Sequence, residues 1–276
     1  MLSIQTNVNA LTAAMNVNTT ERKLGTTINQ LSSGYRINSP ADDAAGLGIS
    51  EALQADIASY QQASQNAVDG QSVVQTASSA MTEVTNILTR MRTLGMEAAN
   101  SDVNLSSSAQ GDVTTEFKSL VSELDRINGD TEYNSGALFG SGVYTFQVGV
   151  GSSATNDVVS VDLSNVKVDS ATLKVTGLKL DNSTDAQAAL TAIDAAIATV
   201  STNQATVGAA DEQLGSAINT IAAASQSLSA ANAGLRNVDV ASASAQLSQQ
   251  QVLAQAGIAV LAQANQMPSQ ALKLLG

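Results

Sequence analysis

The chain lacks cysteine and histidine altogether, and both absences restrict its chemistry. Without cysteine it needs no oxidant to fold and cannot form wrong disulfide bridges outside a cell. Without histidine it has no side chain that normally exchanges a proton near neutral pH. Catalytic triads of the usual type, and metal sites built from thiolates or imidazoles, cannot form either. We therefore predict that the chain is not an enzyme and that it holds no metal or other cofactor.

Large side chains are scarce. Aromatic residues make up 3% of the sequence and tryptophan is missing, whereas alanine, serine, threonine, asparagine and glutamine abound. A compact globule of 276 residues usually needs more large side chains in its core. Alanine-rich faces let helices approach one another closely, so the composition favours long helices packed together.

Positive charge is also scarce, with 12 basic against 24 acidic residues and a net charge of −12. The basic residues are scattered, so the sequence offers no basic patch for a nucleic acid partner. No apolar run approaches the ~18 residues that a membrane-spanning helix needs, and we predict no membrane partner. The polar start, with its first basic residue at Arg22, lacks the pattern of a secretory signal peptide. We expect any export to follow a route independent of such a peptide.

Apolar residues recur at alternating steps of three and four along most of the chain, which is the signature of coiled-coil helices. The longest series runs from Leu190 to Leu235, with polar interruptions that can fix the register. At 1.5 Å per residue, a helix of this length would measure roughly 70 Å, which suits a rod better than a globule. Two more series run from Val73 to Ala98 and from Val113 to Ile127. The predicted fold is mainly α, an elongated bundle of long coiled-coil-like helices.

A β-rich patch near residues 138–181 interrupts the helical pattern. Alternating apolar residues predict strands at Val143–Val150, Val158–Leu163 and Leu173–Leu180. These segments are short, so we expect only a small β-hairpin region. Asn182 and the next three residues offer N-caps for the long helix that follows.

The first and last ~40 residues are amphipathic segments of similar length. Neither can bury its apolar row alone, so each needs a helix from the other terminus or from a neighbouring copy. Such segments can stay disordered until a partner surface is supplied. An intramolecular coiled coil that never polymerises would explain the periodicity equally well. The candidate polymerisation residues are Ile4, Val8, Leu11, Met15, Leu247, Ala254, Ile258 and Leu261.

The run from Leu31 to Ile49 predicts a connector between two helices. Gly34 suits the left-handed position that ends a helix. Pro40 disfavours helical backbone at Ser39. Asp42 and Asp43 then stand where a new helix exposes its free N–H groups. We expect Arg36 to face a carboxylate or carbonyl group of a neighbouring chain.

The same run, LSSGYRINSPADDAAGLGI, resembles the N-terminal signature of bacterial flagellins almost position by position. The start, MLSIQTNVNALTAAMNVN, and the end, VLAQAGIAVLAQANQMPSQALKLLG, resemble the termini of the same family. The segments RMRTLGMEAAN and ELDRINGDTEYN match its core. Roughly four fifths of the chain is covered in this way. Residues 152–181 have no counterpart, and the bulky outer domains of many flagellins are missing, so this chain resembles a short form.

The resemblance implies a structural subunit that polymerises into the extracellular helical flagellar filament used for swimming motility. Export would use the flagellar type III apparatus. Residues 1–43 and 236–276 would form an inner domain, and residues 44–235 an outer rod domain. A hook–filament junction protein of the same family, which connects rather than extends, is the alternative.

Further partners follow from the resemblance. They are copies of the chain itself, hook-associated junction and cap proteins, a flagellar export chaperone and Toll-like receptor 5. Arg90, Leu94 and Glu116 correspond to family positions that the receptor contacts. An interhelical ion pair between Arg90 and Glu116, with Leu94 in the core, explains the same residues without a receptor. Leu120 stands where the receptor-binding pattern often has a basic side chain.

Overall fold

Five long helices and two small hairpins make up the part of the chain that the structure describes. The computed structural model describes residues 6–100, 107–153 and 155–275, with the side chains of 107–109 and 268–275 excepted. The helices are α1 (Val8–Ser33), α2 (Ala44–Ala99), α3 (Ser107–Asp130), α4 (Ser183–Arg236) and α5 (Val240–Leu275). The strands are β1 (Glu132–Tyr133), β2 (Gly136–Ala137), β3 (Val143–Gln147) and β4 (Val158–Asp162). A mainly α fold with a small β region is confirmed.

Three helices begin where a short polar side chain accepts a hydrogen bond from a free N–H group of the first turn. Asn7 caps α1, because its Oδ1 accepts the amide of Ala10 at 3.1 Å. Asn182 caps α4 in the same way, through the amide of Asp185 at 2.9 Å, as its position before the helix predicts. Asp239 caps α5 by accepting the amide of Ala241 at 3.0 Å.

The contacts divide the chain into two compact units. The first combines Met1–Ile57 with Ser227–Gly276, and the second is Ala58–Gln226. The domain boundaries predicted at residues 43/44 and 235/236 fall inside the first unit. The larger core belongs to the second unit. Its largest fully buried side chains are Met81, Leu88, Met91, Leu94, Phe117, Leu124, Leu138, Leu163, Leu180, Ile193 and Leu214.

Helix α4 confirms the long coiled-coil series. Its buried residues recur at steps of three, four or seven from Ala186 to Ile221. Two polar pairs interrupt this seam, as the sequence indicated. Gln204 reaches the Thr85 hydroxyl on α2 at 3.4 Å, and Asp211 accepts the side-chain amide of Gln71 at 3.4 Å. Such polar layers disfavour alternative registers of the two helices.

Strands β3 and β4 form an antiparallel hairpin in which Val143 lies opposite Asp162 and Gln147 opposite Val158. Its turn-side end is fixed to α2, because the Asn66 amide donates to the Gln147 carbonyl at 3.0 Å. The smaller β1–β2 hairpin was not predicted. Its two-residue turn has left-handed backbone at Asn134 (φ 51°) and Ser135 (φ 63°), which suits a tight hairpin.

The predicted strand at Leu173–Leu180 is wrong. The segment is a series of turns, with left-handed backbone at Lys174 (φ 56°) and Gly177 (φ 73°). Its first turn closes when the Val175 amide donates to the Ser170 carbonyl at 3.0 Å. Leu173, Val175 and Leu180 are nevertheless buried. The alternating residues therefore record burial, but the backbone has no neighbouring strand with which to form a ladder.

Candidate assembly surfaces and connector

The backbone of the connector joins α1 to the end of α4 and to the link that precedes α5. Gly34 ends α1 in the left-handed conformation predicted for it, with φ 76°, and its amide donates to the Gln30 carbonyl at 2.9 Å. The Gly34 carbonyl accepts the amide of Val238 at 3.0 Å, and the Arg36 amide donates to the Arg236 carbonyl at 2.7 Å. These bonds make one short antiparallel bridge between residues some 200 positions apart.

Arginine side chains strengthen this bridge. Arg36 donates from Nη2 to the Leu235 carbonyl of its own chain at 2.7 Å. It therefore faces a carbonyl of its own chain, whereas the sequence prediction placed it against a group of a neighbouring chain. Arg236 stacks over the Tyr35 ring at 4.5 Å from its centre and donates to Gln54 Oε1 at 3.3 Å. Sequence reasoning missed Arg236 as a functional residue, although its place as one of two basic residues after position 181 was a usable signal.

The two aspartates of the connector have different roles. Asp42 turns back, and its Oδ2 accepts the amides of Ser39 at 2.9 Å and Asn38 at 3.1 Å, together with the Ser39 hydroxyl. The Ser39 and Asn38 amides, and then that hydroxyl, lower the pKa of the Asp42 carboxyl. Asp43 caps α2, because its Oδ1 accepts the amide of Gly46 at 2.8 Å. Pro40 lies in the turn that Asp42 stabilises.

A small buried cluster holds the connector against α2. Ile37 is almost fully buried, and a Cβ atom added at Gly46 would lie 2.8 Å from its Cδ1. The added atom would lie closer still to Asp43 Oδ2, so a side chain at position 46 would displace the side chains of Asp43 and Ile37. The buried Ser50 hydroxyl donates to Asn232 on α4 at 2.8 Å. Ile37 thus packs the connector against α2, and Ser50 joins α2 to α4.

Helices α1 and α5 pack against each other. A Cβ atom added at Gly257 would lie 2.8 Å from Cγ2 of Val17, so the two backbones approach closely there. Asn7 also donates from its side chain to the Ala264 carbonyl at 2.7 Å. The buried and half-buried positions of α5 follow a heptad pattern: Ala243, Leu247, Gln250, Ala254, Gly257, Leu261 and Ala264.

The predicted polymerisation residues divide between two surfaces. Val8, Leu11, Met15 and Ile258 are exposed. By contrast, Leu247, Ala254 and Leu261 are half-buried, on the face of α5 that follows the heptad pattern of its packing with α1. Ile4 lies outside the described residues. Sequence reasoning missed Leu253, Val260 and Met267, which are exposed on α5 at steps of seven. Their spacing was a signal that could have been used.

The predicted receptor residues lie in the second unit. Arg90 on α2 donates from Nε to Glu116 Oε1 on α3 at 2.7 Å, and both side chains are exposed. The hydrogen bond from Arg90 lowers the pKa of the Glu116 carboxyl. Leu94 is 1% exposed and belongs to the core. Leu120 is half-buried and packs against the same core.

Within the described residues, no three acidic side chains come together in a way that could hold a metal ion. A search of the same residues finds no helix with the length and apolar character needed to span a membrane.

Comparison with known proteins gives the class of this helical subunit. Residues 4–145 match the bacterial flagellin N-terminal helical region, and residues 190–275 match the bacterial flagellin C-terminal helical region. A flagellin from Halalkalibacterium halodurans is 36% identical over 261 residues, which cover 92% of this chain and 95% of that protein. The chain belongs to the flagellin family.

Two further relatives match part of this chain. Phase 2 flagellin of Salmonella typhimurium is 37% identical over 67% of this chain, but the match spans 35% of that protein. The crystal structure of Bacillus cereus flagellin aligns with a TM-score of 0.50 and 26% identity, over 57% of this chain and 88% of that one. Flagellins form extracellular flagellar filaments, and membership of the family implies that this chain is a filament structural subunit.

Proposed function

We propose that copies of this chain assemble with one another, through the outward faces of α1 and α5, into an extracellular helical filament for swimming. The observation that carries the proposal is a pair of exposed apolar rows. The α1 row consists of Val8, Leu11 and Met15, and the α5 row of Leu253, Val260 and Met267. Contiguous apolar side chains left in water mark protein contact sites.

The α1 row is turned away from the contact that α1 already makes with α5. Buried Val17 and Thr27 mark the packed side of α1, and they differ from the α1 row in helical phase. A second copy can therefore cover the α1 row without breaking the contact between α1 and α5. A contact between two different surfaces that does not close on itself generates a helical polymer rather than a ring.

We assign different roles to the predicted polymerisation residues. Val8, Leu11, Met15 and Ile258 would contact a neighbouring copy, since all four are exposed. Leu247, Ala254 and Leu261 would support the contact indirectly, by holding α5 against α1. Ile4 lies outside the described residues, so its proposed role as a contact residue rests only on its position four residues before Val8. The proposed inner domain, residues 1–43 and 236–276, contains all of these positions.

The hook–filament junction protein remains the alternative function. Both functions predict contacts through the terminal helices, but a junction protein would add only a limited layer of subunits and then stop growing. Unlimited growth from seeds by the purified chain would support the filament subunit, and growth that ends after one layer would support the junction protein.

Other partners would use the same surfaces at different stages. Before assembly, an export chaperone would cover the α5 row, because an apolar row in a free subunit invites aggregation. At the filament ends, junction and cap proteins would meet the faces that a further copy would otherwise occupy. A competition assay tests these assignments: added subunit should displace each of these proteins if both bind through the α5 row.

Toll-like receptor 5 would bind the second unit of the free subunit. The exposed Arg90 and Glu116 are accessible to a receptor, and Arg90 has two Nη groups besides the Nε that holds Glu116. Leu94 would act through packing, since it is buried. Arg90→Ala should weaken receptor binding with little change in melting temperature, whereas Leu94→Ala should lower the melting temperature. Unchanged receptor binding by Arg90→Ala would contradict this role.

Seeded growth of the purified chain tests the main proposal. Short filament fragments are mixed with monomer, and filament length is followed by electron microscopy. Val260→Asp should stop growth, because it places an unpaired carboxylate in the buried contact. Val150→Asp, which changes an exposed valine of the second unit to the same residue, is the matched control. Normal growth of Val260→Asp filaments would rule out the α5 row as a contact surface.

A further inference from the structure

The sulfur chemistry of this chain rests entirely on methionine, because the sequence has six methionines and no cysteine. The structure sorts them by access to solvent. Met81 and Met91 are fully buried in the core of the second unit, whereas Met15, Met96 and Met267 are 62%, 55% and 41% exposed. Met1 lies outside the described residues. Three thioethers are therefore open to small oxidants, and two are shielded by the fold.

Two of the exposed methionines occupy equivalent places. Met15 ends the α1 row, four residues after Leu11, and Met267 follows Val260 in the α5 row after one heptad. Met96 differs, because it lies in the second unit beside Arg92, whose Nη1 is 3.8 Å from its sulfur. The two apolar rows thus each include one oxidisable side chain.

We propose that Met15 and Met267 are oxidation sites of the free subunit, at which sulfoxide formation blocks assembly and from which assembly excludes the oxidant. The inference rests on the proposed function, because it requires that both rows become buried between copies. The reactant at both sites would be a peroxide or a similar two-electron oxidant.

The chemistry is a simple oxygen transfer. The thioether sulfur attacks one peroxide oxygen, the O–O bond breaks, an S–O bond forms, and the other oxygen leaves as water after proton transfer. The sulfur loses two electrons, which hydrogen peroxide gains. The product is polar and chiral, and methionine sulfoxide reductases can reverse the change.

The consequence for assembly follows from burial. A sulfoxide oxygen in either row would be removed from water without a defined hydrogen-bond donor. The same oxygen costs little in the free subunit, where the side chain is in solvent. Oxidation should therefore leave the monomer folded and weaken only the contact between copies.

The test compares the native protein with Met15→Leu/Met267→Leu, which keeps similar side-chain volume and cannot be oxidised. Met96→Leu is the matched control, since it removes an exposed methionine outside both rows. Each protein is treated with hydrogen peroxide as monomer, sulfoxide is located by peptide mass spectrometry, and seeded growth gives the critical concentration. Met1 is present in every variant, so its oxidation cannot produce a difference between them.

We expect treatment to raise the critical concentration of the native protein and of Met96→Leu about tenfold or more, the effect of one unpaired buried polar group. Treated Met15→Leu/Met267→Leu should grow like the untreated protein. Reductase treatment should restore growth of the native protein, and filaments should oxidise more slowly than monomer at both positions.

Two outcomes would overturn the inference. One is normal growth by native protein that carries sulfoxide at both positions. The other is an equal loss of growth in the doubly substituted variant. Failure of the untreated protein to grow from seeds would instead contradict the proposed function, so the two failures are distinguishable.

Discussion

The guanidinium group of Arg236 lies 4.5 Å from the centre of the Tyr35 ring, beside the short main-chain bridge between Tyr35 and Asn237. This contact joins the end of α4 to the loop that follows α1. The loop that follows α1 is thereby joined to the residues that precede α5. The helices that carry the two exposed rows are therefore joined by this bridge as well as by their own packing.

Removal of the Tyr35 ring should loosen this bridge. Tyr35→Leu should lower the free energy of unfolding by about 0.5–1 kcal/mol, the usual value of an exposed cation–π contact. Tyr35→Phe keeps the ring and should behave like the native protein. Urea unfolding followed by circular dichroism measures both. Equal losses for the two variants would show that the hydroxyl group, and not the ring face, provides the stabilisation.

The left-handed turn at Gly34 gives a second prediction, with a control in the same helix. Gly34→Ala should destabilise the chain by about 1–2 kcal/mol, because a side chain disfavours left-handed backbone. Gly25→Ala, in the interior of α1 with open space around it, should stabilise by about 1 kcal/mol. Urea unfolding of both variants checks the opposite signs. A stabilised Gly34→Ala would contradict the cap.

Asp42 makes the connector sensitive to acid. Hydrogen bonds from the connector lower the pKa of its carboxyl in the folded chain below the ordinary value of 3.8. Its contribution to stability is therefore fully present above about pH 4 and is lost as the pH falls through the folded pKa. Titration of the Asp42 carboxyl by NMR should give a midpoint below that of the denatured chain.

Ser39→Ala is the control for this titration. It removes the hydroxyl donor but keeps the two amide donors, so the midpoint should move only part of the way back. Identical midpoints in the folded and denatured chains would show that the amides do not hold the carboxylate in solution.

Local rules predicted much of this molecule. Gly34, Asp43 and Asn182 stand at helix ends for reasons that are visible in a few neighbouring residues, and the structure confirms all three. The three-and-four periodicity likewise predicted α4. The prediction of a strand at Leu173–Leu180 failed because alternation reports only that one side of the backbone is buried and the other exposed. A strand also needs a hydrogen-bonding neighbour, which the sequence does not reveal.

The candidate surfaces were harder to predict, because an apolar residue on a terminal helix can face either its own chain or another. Leu247 and Ile258 are on the same helix and have similar character, yet the first is half-buried and the second is exposed. That distinction depends on where α1 lies, which is a tertiary property. The connector contact of Arg36 depends in the same way on a carbonyl 199 residues away.

Seeded growth of Ile258→Asp tests the central claim most directly, because Ile258 is exposed in the free chain and the proposed assembly would bury it between copies. Val143→Asp is its control, since both native side chains are 54% exposed and both variants gain one negative charge. With filament fragments as seeds and electron microscopy as the measurement, Ile258→Asp should keep the helical circular dichroism of the native subunit but fail to elongate, while Val143→Asp elongates. Elongation of Ile258→Asp at the native rate would contradict assembly through a contact of α5 that includes Ile258.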